Sequence, residues 1–304
     1  MNKIIVGLGE ALWDCLPQGR QFGGAPANFA YQASQYGWKG FAVSALGNDT
    51  LGDEAMQIIA SKGLEHCMAR IPYPTGTVQV SLNEAGVPSY LISEQVAWDY
   101  IPWTAELENL AQRARAACFG TLACRSAESR NTIFRFLDAM PKGSERVFDI
   151  NLRQHYYDRA VIEQGLSRAT MLKLNDEEIV VIARLFNLTG SVEEQCRALL
   201  QRWAPALHTV ILTCGVNGSY VFTAAETSFQ RTPRVEVADT VGAGDAFAAC
   251  YVAHVLRGES VSVAHQRAVT ASAYVCTQPG AMPEMPESIT SRALKRQKLA
   301  DNQQ

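Results

Sequence analysis

The chain has no surplus of positive charge, and this absence limits its partners. Its 304 residues carry 27 Lys and Arg against 30 Asp and Glu, which gives a formal net charge of −3 at pH 7. Binding to nucleic acid normally needs a basic patch or stripe, so we expect no nucleic acid among the partners. An anionic ligand would depend instead on local backbone N–H groups, a metal ion or a few cationic side chains.

Long apolar runs and paired cysteines are also missing. The start, MNKIIVGLGE, contains no signal-peptide core, and no later apolar run approaches the length of a membrane span. None of the eight cysteines forms a Cys-x-x-Cys pair, and several lie in apolar runs such as TVILTCG. Such cysteines are typical of buried thiols in a reducing compartment. The sequence therefore predicts a cytoplasmic protein with no membrane contact, no disulfide framework and no zinc site.

What the chain does contain is a regular alternation of strand and helix patterns. The apolar run from Lys3 to Gly9 predicts a buried strand, and Pro26 to Tyr36 has the apolar spacing of a helix. Gly40 to Leu46 predicts a second strand, and similar alternation continues from Ala105 to Val275. This order predicts a mostly parallel sheet covered by helices on both faces, within a single domain of residues 1–304.

Two segments interrupt the alternation. Thr75 to Ser93 alternates apolar and polar residues around a turn at 83–86, which predicts a hairpin with one exposed face. Residues 10–24 are punctuated by Gly and Pro and are predicted to be irregular. We interpret residues 10–24 and 75–98 together as a lid, whose exposed hairpin is a candidate surface for a homodimer.

The most specific motif is DTVGAGDAF, residues 239–247. Its glycines allow several backbone N–H groups to converge on an anion, and the apolar stretch that follows predicts a helix whose N-terminus also favours negative charge. Asp245 lies in the first turn, where a carboxylate could accept a proton from a hydroxyl that attacks phosphorus. Asp is also common in first turns, so a bare GxGD would carry little weight. The complete string is much more specific.

Four other segments place polar groups at strand ends or helix starts. Asn28 follows the paired glycines of GGAPAN, and Arg153 closes the segment DINLR. Asn175 and Glu178 in KLNDEE have the spacing of a helix capping box. TCGVNGS carries two glycines between strand patterns. Each has an ordinary structural explanation: a helix start, a surface arginine, a helix cap or a tight turn.

Taken together, these motifs resemble the ribokinase-like (pfkB) sugar kinases, over about Ile4 to Met282. The resemblance implies a three-layer α/β/α ribokinase-like fold with a mostly parallel central sheet and a small β-sheet lid. It also implies transfer of the γ-phosphoryl group of ATP to a primary hydroxyl of a small sugar. The expected cofactors are ATP and Mg²⁺, with a monovalent cation such as K⁺.

The resemblance further implies a role for individual residues. Asp245 matches the catalytic base, and the anion hole matches the amides of Gly242, Ala243 and Gly244. The sugar site matches Asp14, Gly24 and Asn28, with Arg153 reaching phosphate or substrate. The nucleotide loop matches Thr213, Gly215 and Gly218. Asn175 and Glu178 match the residues that order magnesium through water, while Asp239 and the backbone of Val241 match a monovalent cation site.

Trp98 has two interpretations. It follows the predicted hairpin in VAWDYIPW, from where its ring could stack on the apolar face of the sugar. A tryptophan packed beneath the lid explains the same position equally well.

The identity of the acceptor is less well determined by the sequence. GEALWD, GGAPANFA, DINLRQ and KLNDEE together resemble bacterial fructokinases, and Asp14 with Asn28 suits an uncharged sugar. However, LISEQVAWDYIP lacks the arginine that follows the hairpin in many fructokinases. A ketodeoxygluconate kinase would use Arg153 for the carboxylate and a nucleoside kinase would use Trp98 for the base, while a ribose kinase is a further alternative.

Proteins of other classes fit less well. A non-catalytic sugar or nucleotide sensor on the same fold would need neither Asp245 nor Glu178. The chain has no Walker A sequence and no protein-kinase HRD and DFG motifs, and its GLGEAL lacks the third glycine of a Rossmann GxGxxG.

Overall fold

The structure is a computed structural model that describes residues 3–16, 19–82 and 88–290. The strands, in chain order, are β1 (Ile4–Leu8), β2 (Leu12–Leu16), β3 (Gly19–Gly23), β4 (Lys39–Gly47), β5 (Glu65–Ile71), β6 (Gly76–Leu82), β7 (Pro88–Ile92), β8 (Ala114–Gly120), β9 (Glu145–Asp149), β10 (Met171–Asn175), β11 (Thr209–Thr213), β12 (Ser219–Thr223) and β13 (Thr227–Gln230). The helices are α1 (Ala25–Gln35), α2 (Thr50–Ser61), α3 (Ala105–Ala111), α4 (Ala127–Ala139), α5 (Arg159–Leu166), α6 (Asp176–Phe186), α7 (Val192–Arg202), α8 (Ala243–Val255) and α9 (Val261–Cys276).

Nine strands form the large sheet, in the order β13-β12-β11-β10-β9-β8-β1-β4-β5. The pairs from β11 through to β5 are parallel, and β12 and β13 add an antiparallel edge. Because parallel strands place their carboxyl ends at one edge, the loops after β1, β9, β10 and β11 lie along the same side of the sheet.

Both faces of the large sheet are covered by packed apolar side chains, because alternate strand residues point to opposite sides. On one face Phe119 and Phe148 stack with ring centroids 4.7 Å apart, and α4, α6 and α7 contribute to the same core. On the other face, residues of α1, α8 and α9 pack around Ile5 and Val147. The predicted three-layer architecture with a mostly parallel sheet is confirmed.

A second, four-stranded sheet has the order β3-β2-β6-β7. β6 and β7 form the antiparallel hairpin predicted at residues 75–93, although its turn at 83–86 lies outside the described residues. The prediction of irregular structure for residues 10–24 is wrong, because β2 and β3 pair there in antiparallel fashion and β2 also pairs with β6. Trp13 is buried in this sheet and its ring meets Phe22 edge-on, which anchors the two strands.

Two strands of the large sheet were also absent from the sequence prediction. β5 adds a parallel strand to β4 at one edge, and β13 closes the opposite edge. Both alternate poorly between apolar and polar residues, as edge strands often do when both faces are partly solvated. Within the described ranges, no helix combines the length and apolar character needed to cross a membrane.

Candidate active site

Residues from the two ends of the chain meet beside the carboxyl edge of the large sheet. Asn28, on the first turns of α1, donates a hydrogen bond from Nδ2 to Oδ2 of Asp245, on the first turn of α8, over 2.8 Å. The two residues are 217 positions apart in the sequence. Asn28 is buried, and its Oδ1 has no hydrogen-bond partner among the described residues. The predicted sugar-binding amide and the predicted base are therefore direct neighbours.

The environment of Asp245 makes it easier to protonate than an ordinary aspartate. Burial raises its pKa, as does the negative charge of Asp149, to about 6. The hydrogen bond from Asn28 and the charges of Lys173 and Arg153 oppose this rise. A carboxylate with a pKa of about 6 is ionised at neutral pH and can accept a proton from an attacking hydroxyl.

The loop before α8 has the geometry expected of an anion hole. Gly242 is the N-cap of α8 and has a left-handed backbone, with φ of 77°. A Cβ on Gly242 would lie 2.6 Å from the Cβ of Ala281, so only glycine fits. Ala243 and Gly244 follow as the first helical residues, whose N–H groups have no partner within the helix, while the N–H of Ala243 makes a long 3.3 Å bond to the carbonyl of Thr240 in the loop. These amides and the helix dipole favour an anion at this position.

Lys173 is a functional candidate to which the sequence analysis gave no role. It lies in the buried strand β10, where its Nζ donates to Oδ2 of Asp149 over 2.7 Å. A Cβ on Gly244 would be 3.1 Å from the same Nζ, so the ammonium lies against the anion-hole backbone. Burial works against its charge, but Asp149, Glu178 and Asp245 together outweigh burial and raise the pKa of Lys173. The signal that could have revealed it was a lysine inside the apolar run MLKLN.

Glu178 is held by backbone donors on both carboxyl oxygens. Leu152 donates to Oε1 and Asn175 donates to Oε2, each over 2.8 Å. The side chain of Asn175 in turn accepts from the N–H groups of Glu177 and Glu178, which completes the predicted capping box. Burial raises the pKa of Glu178, and the charge of Asp149 raises it further. The capping role is therefore present, and it fixes the carboxylate beside Asp149 and Lys173.

The carboxylates of Glu178 and Asp149 fit a hydrated magnesium ion. Mg²⁺ usually retains several waters and is held by one or two carboxylates together with phosphate oxygens. Each oxygen of Glu178 keeps a lone pair beyond its backbone bond, and Oδ1 of Asp149 is buried with no partner among the described residues. Glu178 and Asp149 could therefore accept hydrogen bonds from the waters of such an ion.

Comparison with known proteins agrees with this geometry. The sequence profile of the pfkB family carbohydrate kinases matches residues 16–288. The chain belongs to the pfkB carbohydrate kinase family. The predicted resemblance is thus confirmed, and so is the prediction of a carbohydrate kinase.

Individual relatives resemble this kinase over almost its whole length. A fructokinase from Salmonella typhimurium is 28% identical over 307 residues, covering 94% of this chain and 97% of the relative. An ATP-dependent 6-phosphofructokinase from Thermoanaerobacterium thermosaccharolyticum is 25% identical over 289 residues, covering 93% and 87%. Among solved structures, a fructokinase from Xylella fastidiosa with bound ATP superimposes with a TM-score of 0.81 at 23% identity, covering 98% of this chain and all of that one.

The predicted nucleotide residues of the kinase lie next along the same edge. Thr213 ends β11 and is the register partner of Asn175 at the end of β10. Gly215 and Gly218 bound a 3₁₀ turn between β11 and β12, and both have positive φ. A Cβ on Gly218 would lie 2.6 Å from the carbonyl oxygen of Gln230, so the glycine is also required by the turn. Their role in binding the nucleotide stays a prediction.

The predicted cation residues form a backbone-tied loop. Oδ1 of Asp239 accepts from the N–H of Val241 over 3.0 Å, and Oδ2 accepts from the N–H of Gly280 over 3.1 Å. This arrangement joins the loop before α8 to the segment after α9, and it leaves Val241 half exposed. A monovalent cation at Asp239 and Val241 stays a prediction.

The remaining residues predicted to bind sugar are Asp14, Gly24 and Arg153. Asp14 projects from β2 of the small sheet, and burial raises its pKa while Arg153 lowers it. Gly24 is the N-cap of α1 with φ of 123°, and a Cβ there would lie 2.3 Å from the carbonyl oxygen of Glu10. Arg153 is exposed after β9, where its charge acts on both Asp14 and Asp245.

Trp98 does not present its ring to a sugar. Its side chain is fully buried in the 3₁₀ turn Ala97–Tyr100, and Gly76 packs so closely that a Cβ there would lie 2.2 Å from Nε1. The guanidinium of Arg125 covers its ring at 4.0 Å. The predicted sugar contact is therefore wrong, and the alternative of a tryptophan packed beneath the small sheet describes its position.

Proposed function

We propose that this kinase transfers the γ-phosphoryl group of ATP to a primary hydroxyl of a small sugar, and that fructose is the first candidate. The observation that carries this proposal is the 2.8 Å hydrogen bond between Asn28 and Asp245. The bond joins Asn28, whose amide suits sugar hydroxyls, to Asp245. Asp245 lies at the N-terminus of a helix, and such a terminus suits phosphate. A sugar hydroxyl bound beside Asn28 would lie within reach of both.

Each residue of the site has a separate role in the proposed phosphoryl transfer. Asp245 accepts the proton of the sugar hydroxyl as the oxygen attacks phosphorus. The amides of Gly242, Ala243 and Gly244 hold the negative charge of the transferred group, and Lys173 adds a positive charge beside them. Mg²⁺, when bound, would neutralise charge on the phosphate chain of ATP. Glu178 and Asp149 would orient its waters.

The small sheet completes the proposed site as a lid. Asp14 projects from β2, so a movement of this sheet would bring an acceptor for sugar hydroxyls toward Asn28. Closure would also exclude water, which otherwise competes with the sugar for the phosphoryl group. Because such a reaction uses cytosolic ATP, we place the kinase in the cytoplasm.

Fructose is preferred for two reasons. The chain is 28% identical to a protein named fructokinase, and the polar side chains at the sugar site, Asp14 and Asn28, suit neutral hydroxyls. The second candidate is an acidic or phosphorylated sugar. Arg153 favours it, because this exposed cation acts on Asp14 and Asp245, and one relative is named a phosphofructokinase.

A coupled ADP-release screen tests the proposal. The panel contains fructose, fructose 6-phosphate, ribose, ketodeoxygluconate, adenosine and inosine, each with ATP and Mg²⁺. We expect the highest kcat/KM with fructose. An Arg153→Met variant separates the candidates, since it should weaken turnover of the acidic sugars far more than turnover of fructose. A lack of ADP release with every acceptor would contradict the kinase proposal and favour a sensor.

A further inference from the structure

A tyrosine that none of the steps above uses ties the β9 loop (residues 151–156, after β9) to the small sheet. Oη of Tyr156 donates a hydrogen bond to Oε1 of Glu94 over 2.8 Å, and it lies 3.4 Å from the carbonyl oxygen of Ile92. Ile92 is the last residue of β7, and Glu94 follows two positions later. Tyr156 therefore joins the β9 loop to the end of the small sheet.

The ring of Tyr156 packs on the buried ion pair beside the end of β7. The guanidinium of Arg125 lies over two rings, with Cζ 4.0 Å from the centroid of Trp98 and 4.6 Å from that of Tyr156. Arg125 also binds Asp99 and donates to the carbonyl of Ser93 over 2.6 Å. The hydroxyl of Tyr156 thus projects from a packed ring toward a part of the small sheet that is itself anchored.

The start of the β9 loop contacts the carboxylate that fits a hydrated magnesium ion. The N–H of Leu152 donates to Oε1 of Glu178 over 2.8 Å. Nη1 of Arg153 donates to the carbonyl oxygen of the same Leu152 over 3.0 Å, so the guanidinium folds back toward this peptide. In keeping with this position, its charge works to lower the pKa of both Asp14 and Asp245. Where Arg153 lies relative to the site therefore depends on the path of the β9 loop.

The backbone of the β9 loop follows an unfavourable path. Asn151 and Gln154 have left-handed backbones, with φ of 41° and 48°, which residues other than glycine adopt infrequently. The N–H of Tyr156 donates to the carbonyl of Arg153 over 3.0 Å and closes the turn between them. Such a conformation persists where surrounding contacts hold it. Leu152 makes the contact at the start of the loop, and Tyr156 makes the contact at its end.

We propose that Tyr156 is a positioning residue for Arg153. Its hydrogen bond to Glu94 holds the β9 loop against the end of β7, and the loop then keeps the guanidinium of Arg153 beside the sugar site. The proposal rests on the kinase function proposed above, because the role of Arg153 toward the sugar belongs to that function. Tyr156 acts through the loop and is not itself a group that binds the sugar.

Steady-state kinetics of three variants test the positioning, with the sugar that gives the highest kcat/KM. Tyr156→Phe keeps the ring over Arg125 and removes only the hydroxyl, so we expect the sugar KM to rise about fivefold. The kcat should change less than about twofold, since Asp245 is held by Asn28 instead. Glu94→Ala should raise the KM as Tyr156→Phe does. Glu94→Gln keeps an oxygen for the hydroxyl and should stay within about twofold of the wild type.

A double-mutant cycle separates this role from ordinary packing. In an Arg153→Met background, Tyr156→Phe should change the sugar KM less than about twofold, because no guanidinium remains to be positioned. Tyr157→Phe is the matched control, since it removes the hydroxyl of a half-buried neighbour outside this hydrogen bond and should leave the KM unchanged. An equal rise of KM in both backgrounds, or an unchanged KM for Tyr156→Phe alone, would overturn the proposal.

Amide hydrogen exchange tests the anchoring without any turnover. Tyr156→Phe should speed exchange of the N–H of Leu152 about fivefold or more, because the β9 loop opens more often once its end is released. The N–H of Asn175 donates to the same carboxylate of Glu178 from outside the loop, so it is the internal control and should exchange as in the wild type.

The two measurements keep the two proposals apart. If no sugar is turned over, the kinase proposal fails, and the exchange rates still decide whether Tyr156 holds the β9 loop. Unchanged exchange at Leu152 in Tyr156→Phe would contradict the anchoring, whether or not the kinase is active.

Discussion

Two buried ion pairs, Arg125–Asp99 and Lys173–Asp149, differ in how completely their carboxylates are bound. Arg125 binds Asp99 through both carboxyl oxygens at 2.8 and 2.9 Å, and it also donates to the carbonyl of Ser93 just after β7. Lys173 binds Asp149 through one oxygen only, and the other oxygen, Oδ1, is buried with no partner among the described residues. Both pairs are more than nine-tenths buried.

The difference indicates that one ion pair is structural and that the other belongs to the active site. Both carboxyl oxygens of Asp99 accept hydrogen bonds from the protein, and Oδ2 also accepts one from the N–H of Val96. Its pair thereby ties the end of β7 to the turn after β8. Asp149 and Lys173 retain hydrogen-bonding capacity beside the anion-hole loop. Nη1 of Arg125 is also buried with no partner among the described residues, but its guanidinium lies over the rings of Trp98 and Tyr156. We infer that the first pair holds the small sheet. We infer that the second pair binds a ligand, because its unpaired atom is a carboxylate oxygen and its lysine lies against the anion-hole loop.

The largest effect on kcat is expected at the carboxylate of Asp245, and Asp99 provides the comparison. Asp245→Asn should lower kcat at least about 10²-fold with little change in sugar KM, because the amide cannot accept the proton. Its stability should be unchanged or higher, since burial of the charge disfavours folding at neutral pH. Asp99→Asn should do the reverse, with a free energy of unfolding about 3 kcal/mol lower and near-normal kcat in the folded fraction. Steady-state kinetics and urea unfolding measure both. Near-normal kcat in Asp245→Asn would refute the base.

The next largest effect is expected at Lys173, and Arg125 provides the comparison. Lys173→Met should lower kcat about 10²-fold, because the anion hole loses its positive charge. Arg125→Met should instead lower the free energy of unfolding by about 3 kcal/mol and leave kcat per folded molecule within about threefold. The same two assays apply. If both variants lost only stability, the distinction between the pairs would be wrong.

The smallest effect is a shift in pH dependence. With the pKa of Asp245 raised to about 6, kcat/KM should fall as pH drops below 6, because the base becomes protonated. Asn28 lowers that pKa by its hydrogen bond, so Asn28→Ala should move the acid limb upward by about one pH unit. Profiles of kcat/KM against pH give both values. An unchanged or lowered acid limb would mean that Asn28 does not stabilise the ionised base.

The sequence predicted those parts of the fold and site that depend on local pattern. The strand β1, the helix α1 and the glycine loop before α8 follow from apolar spacing and glycine placement. The capping box at Asn175 and Glu178 follows from a three-residue spacing. The resemblance to a family assigned Asn28 to the sugar and Asp245 to the base, but no local rule predicts a contact between residues 217 positions apart.

The remainder depends on tertiary contacts that spacing does not encode. Trp98 is buried by Gly76 and Arg125, which are distant in sequence, so neither interpretation could be preferred from the local pattern. The strands β2 and β3 exist because β6 pairs with β2, which Gly- and Pro-rich sequence alone does not indicate. Lys173 is a functional candidate only because the fold brings Gly244 of the anion-hole loop next to its ammonium group.

The proposed reaction forms a phosphate ester on a sugar. ³¹P NMR of the kinase with ATP, Mg²⁺ and fructose tests it directly, because ester and inorganic phosphate give separate signals. We expect one equivalent of a primary phosphomonoester for each ADP, and loss of that signal with Asp245→Asn. ADP accompanied only by inorganic phosphate, or ester formation that survives Asp245→Asn undiminished, would contradict it.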